Sequence, residues 1–143
     1  MSQEAVRKAV IRNVKKKLDE FFPGKPVTWA NVKFDPPAGL WFEIAYLPGR
    51  PEPSTLGDEG EDEVMGVAQI DVCIPVDSGE HQVFKALATL EDYFTGGRSL
   101  EYKGQTAVVT STSRSPGYPD DGWWKTPLSI YFRASYQRPS LTT

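Results

Sequence analysis

His81, Cys73 and a run of carboxylates are the residues whose types could carry chemistry. A lone histidine at position 81 has the side chain of a general base. The pattern places it in the first turn of a helix, where an exposed helix residue is the ordinary outcome. Cys73 lies in a strand segment and has no second cysteine to pair with. Its expected place is that of a small, half-buried strand residue. One cysteine and one histidine do not build the usual zinc site. Asp58, Glu59, Glu61, Asp62 and Glu63 invite a calcium reading. Their spacing departs from the EF-hand loop and no helix pair flanks them, so a solvated or interface-facing acidic loop is expected. The sequence has no Walker A loop and no glycine-rich strand-to-helix turn. The expectation is a protein without catalysis, cofactor or metal, which works through its surfaces.

Those surfaces need a scaffold. The chain has 143 residues, the size of one domain, with 39% hydrophobic and 24% charged residues. The net charge is -3, and no basic stripe suggests tight binding to nucleic-acid phosphates. The N-terminus has no apolar signal-peptide core, and no apolar run is long enough to span a bilayer. The expected protein is soluble, made in a reducing cytoplasm, and does not contact a membrane.

Ser2 to Phe22 has a helical period, with Val6, Val10, Val14, Leu18 and Phe21 or Phe22 on one face. Pro23-Gly24 ends it, and Lys15, Lys16 and Lys17 suit the negative end of its dipole. A proline-rich connector covers 23–38. Strands are expected over Leu40 to Leu47, with Leu40, Phe42, Ile44 and Tyr46 sharing one face, and over Val64 to Ile74, with Gly66, Ala68, Ile70, Val72 and Ile74 on the buried face and Gln69 and Asp71 pointing away. Asp77 to Phe94 reads as a second helix, with Asp77 and Glu80 in a capping-box arrangement and Phe84 on its apolar stripe. Strands near Leu100–Tyr102, from Gln105 to about Ser113, and from Trp123 to Gln137 complete the chain. Residues 115–122 form a loop, and a polar tail begins at Pro139. The fold class is α+β: a mostly antiparallel sheet with two helices on one face, in the order α-β-β-α-β-β-β.

The loop at residues 48–63 (PGRPEPSTLGDEGEDE) is too long for a tight hairpin and too polar for a core. It and the 115–122 loop supply most candidates for a subunit or tube interface. These are Arg50, Leu56, Asp58, Glu59, Glu61, Asp62, Glu63, Tyr118, Asp120, Asp121 and Trp123, joined by Arg133 on the outward face of the last strand.

Several pieces, in this order, resemble the tail terminator family of long-tailed bacteriophages. They are Trp29 to Pro37 (WANVKFDPP), Gly39 to Glu43 (GLWFE), Ser54 to Gly57 (STLG), Gly66, Phe94 to Gly96 (FTG), Asp121 to Pro127 (DGWWKTP) and Ile130 to Ala134 (IYFRA). The resemblance spans nearly the whole chain. It implies an α+β subunit of a homohexameric ring that caps the tail tube, stops its polymerisation and faces the head-completion protein. It also implies no catalysis and no cofactor, with DNA only as a passing occupant of the channel and the virion tail as location. Two other readings stand beside it: a neighbouring neck component, and a small ligand-binding or hydrolytic domain.

Overall fold

The computed structural model describes residues 2–55, 57 and 60–138. Leu56, Asp58, Glu59 and the tail from Pro139 lie outside the described residues.

Helix α1 spans Gln3–Phe21. Ser2 begins it: its backbone is extended and its hydroxyl oxygen accepts from the Ala5 amide at 3.1 Å. Val6, Val10, Val14 and Leu18 are buried on one face, and each such side chain stabilises the fold by roughly 1.5–3 kcal/mol. The lysines do not cap the C-terminus as expected, because the last turn carries no base. Lys15 and Lys17 stand about a turn earlier and reach forward to Asp19 and Glu20. Helix α2 is shorter than the sequence suggests, His81–Tyr93. The expected capping box does not form. Asp77 and Gly79 both take left-handed backbone angles, φ 64° and 80°, so the chain is still turning there. Glu80 caps the helix by position only, and its carboxylate accepts from the Trp124 indole at 3.3 Å.

The strands are β1 (Val27–Trp29), β2 (Trp41–Leu47), β3 (Glu52–Pro53), β4 (Glu61–Pro75), β5 (Ser99–Tyr102), β6 (Gln105–Arg114), β7 (Tyr118–Asp120) and β8 (Trp123–Gln137). They form one sheet in the order β1-β2-β4-β8-β6-β5, with β3 on β4 and β7 on β8. The expected element order therefore lacked β1, β3 and β7. These short strands lie in segments whose prolines and polar residues mask the period-2 pattern, and each forms by pairing with a longer neighbour. The β1–β2 pair is parallel and the other pairs are antiparallel, so the sheet is mixed.

The spine is the β4–β8 pair, in register from Glu61 with Gln137 to Pro75 with Trp123. Its inner face carries Val64, Ala68, Ile70 and Val72 opposite Ala134, Ile130, Leu128 and Thr126. Gly66 lies opposite Phe132. A Cβ there would meet the Phe132 ring at 2.6 Å, so glycine lets that ring lie flat across the strand. The buried residues of both helices join the same core cluster as this face.

Half of the outer face is covered too. Trp41 and Cys73 are opposite one another and buried there, with Phe34 tilted against Trp41 and Trp123 packed edge-on against it. Cys73 is therefore fully buried rather than half-buried. Asp71 points away from the inner face, as expected, but it too is buried on this side.

Candidate functional site

The structure divides the candidate interface residues between the two ends of β8. Trp123 and Arg133 are ten residues apart, about 33 Å along an extended strand.

At the far end, Asp121 (φ 50°) and Gly122 (φ 84°) form a tight turn joining β7 to β8. The expected 115–122 loop is thus partly a hairpin. Asp120 pairs with Lys125 at 2.9 Å, and Lys125 also stands over the Trp41 ring. Trp123 is half-buried and its ring packs against Trp41, so it serves the fold itself. Tyr118 remains exposed, with partial burial pushing its phenol up.

At the near end, the outer face is open. β3 folds back on the start of β4, pairing Glu52 with Glu63 and Pro53 with Asp62. Arg138 clamps this turn. Its guanidinium donates to Asp62, to the carbonyl oxygen of Glu61 and to those of Thr55 and Gly57, at 2.7–3.0 Å. The chain enters the turn through Gly49, where a Cβ would overlap the Met65 carbonyl group. Arg50, Glu52, Glu63 and Met65 line a groove of about 410 Å³. Glu61, Glu63 and Arg133 rim a shallow hollow of about 690 Å³ next to it. The structure thus gathers Arg50, Glu61, Glu63 and Arg133 around one surface, whereas Asp62 is occupied by Arg138.

This end also exposes apolar side chains outside the predicted set: Leu47 at 50%, Met65 at 63% and Tyr131 at 40%. The signal was in the alternation, because each falls on the outward parity of its strand. On the opposite side of the molecule, Arg7, Lys8, Ile11, Arg12, Lys15, Lys16, Asp19 and Trp29 line a groove of about 580 Å³ between α1 and β1. The sequence showed the basic residues but not Trp29 beside them, since β1 was read as connector. Phe84, placed by periodicity on the buried stripe of α2, is 48% exposed.

The residues first considered for chemistry are not brought together. His81 is exposed at the start of α2, while Cys73 is sealed in the outer-face cluster, where burial pushes its thiol far up. Among the described residues, no group of three or more His, Cys, Asp or Glu side chains is placed to hold a metal ion. Among the described residues, no helix is long and apolar enough to cross a membrane. The hollows described above are open surface grooves suited to docking another surface.

A family model described as phage tail terminator protein matches residues 5–132. No curated protein matches the sequence. A solved structure 24% identical to this chain superposes with a TM-score of 0.74, covering 95% of this chain and 97% of its own. That likeness shows the fold.

Proposed function

The chain belongs to the phage tail terminator family and is a structural protein of the phage tail; from that premise we propose that it forms a hexameric ring on the growing end of the tail tube. The ring stops further polymerisation and presents its free side to the head-completion protein. The observation that carries this reading is the family match from residue 5 to residue 132. The open end of the sheet supports it, because Leu47, Met65 and Tyr131 leave apolar surface for a neighbour to cover. An obligate junction of this kind buries roughly 2,000 Å² or more. The partners are other copies of the chain, the tube protein and the neck protein. DNA passes through the channel without specific contacts.

The test is electron microscopy of the purified protein, alone and mixed with tail tubes. Rings, or density capping one tube end, are expected. A monomer that leaves both tube ends bare contradicts the proposal.

A further inference from the structure

We propose that each junction in the ring joins the open end of the outer sheet face of one copy to the basic face of α1 in the next. Met65 seats over Trp29, and Glu52 and Glu63 face Lys8, Arg12 and Lys16. The inference rests on the ring reading and adds the surfaces that make the ring.

Three observations carry it. Glu52 and Glu63 are directly opposed in an antiparallel pair, where like charges repel. Asp62 beside them has Arg138, but neither Glu52 nor Glu63 pairs with a cation among the described residues. The isolated chain therefore holds two opposed carboxylates without an ion-pair partner beside an exposed methionine, with Arg50 in the same groove and Arg133 on the adjoining rim. On α1, Arg7, Lys15 and Lys17 are paired with Glu4, Asp19 and Glu20. Lys8, Arg12 and Lys16, spaced four residues apart on one stripe, have no carboxylate partner among the described residues. They rim a groove in which the half-buried Trp29 is exposed to contact. A flexible thioether against the Trp29 ring is a favourable fit, and the carboxylates of one surface face unpaired cations of the other.

The two surfaces also lie on opposite sides of the molecule. Met65 alternates with the inward Val64 and Gly66, whereas α1 packs on the inner side. One chain cannot satisfy both surfaces by itself. Two unlike surfaces on different sides give head-to-tail contacts, which close into a ring where the rotation between successive copies brings the last back to the first.

The test is charge reversal read by native mass spectrometry and tube capping. Glu52→Lys with Glu63→Lys should raise the concentration for half-assembly by about tenfold or more, as should Lys8→Glu with Arg12→Glu and Lys16→Glu. Combining all five reversals should restore assembly, since every junction again joins opposite charges. Melting curves show whether each variant folds. Carbodiimide coupling of wild-type rings from mixed isotopic batches gives an independent readout: bonds between copies should link Glu52 or Glu63 to Lys8 or Lys16. Reversals that leave assembly unchanged, folded variants without combined rescue, or coupling only elsewhere would overturn the junction while rings persist. Wild-type protein that neither forms rings nor caps tubes overturns the underlying reading as well.

Discussion

Asp71 shows how one side chain records its surroundings. Its carboxylate is buried on the covered half of the outer face, and desolvation raises its pKa against the opposing hydrogen bond from Gln69. The folded protein therefore binds this proton more tightly than the unfolded chain does. The resulting stability is fully present below the ordinary value of 3.8 and is lost as pH rises through the raised folded value. Asp71→Asn should melt at a higher temperature than the native protein at pH 7, with the gap closing near pH 4. An equal gap at both pH values would contradict the account. Phe132 and Arg133 give a second comparison. Phe132→Ala should cost roughly 3–5 kcal/mol in denaturant unfolding, because the ring is buried over Gly66. Arg133→Ala, on the exposed face, should cost less than about 0.5 kcal/mol. Equal losses would mean that the faces are assigned wrongly. The inward faces of β4 and β8 were legible because residues of one parity are apolar along both strands. The burial of Asp71 and Cys73 was not, because it depends on residues of other strands, such as Trp41 opposite Cys73 and Lys125 and Asp120 near Asp71.

Among the elements, the described residues between Gly49 and Gly60 are held by polar contacts and lie outside the core cluster. Their anchors are the β3 pairing and the Arg138 clamp. Replacing residues 50–61 by a short Gly/Ser linker should leave the monomer's melting temperature nearly unchanged while ring formation or capping is lost. Unfolding of the shortened protein would place the turn in the domain's core. Gly49 itself is different, since Gly49→Ala should destabilise the monomer by several kcal/mol through the clash with the Met65 backbone, measurable by denaturant titration. The long elements were legible from their periods: α1, β2, β4, β6 and β8 stand close to where hydrophobic spacing puts them. The start of α2 was not, because the sequence does not reveal that Asp77 takes a left-handed angle. β1, β3 and β7 were not either, since strands of two or three residues owe their form to a partner.

For the whole molecule, the family assignment and the two-sided architecture together support the ring we propose. The sequence already carried the family resemblance in the order of its short motifs. It did not show which surfaces face outward together, because that depends on the register of β4 with β8 and on the packing of α1 against β1. Nor did it place Arg50, Glu61, Glu63 and Arg133 around the same open surface. The central claim is that this chain ends tube growth. The most direct measurement is the length distribution of tail tubes polymerised from purified tube protein with increasing amounts of this protein. The account predicts that tubes shorten as the protein is added and that growth stops once an end is occupied, with about six copies per capped end. Tubes that keep the same lengths and go on growing at every ratio would contradict it.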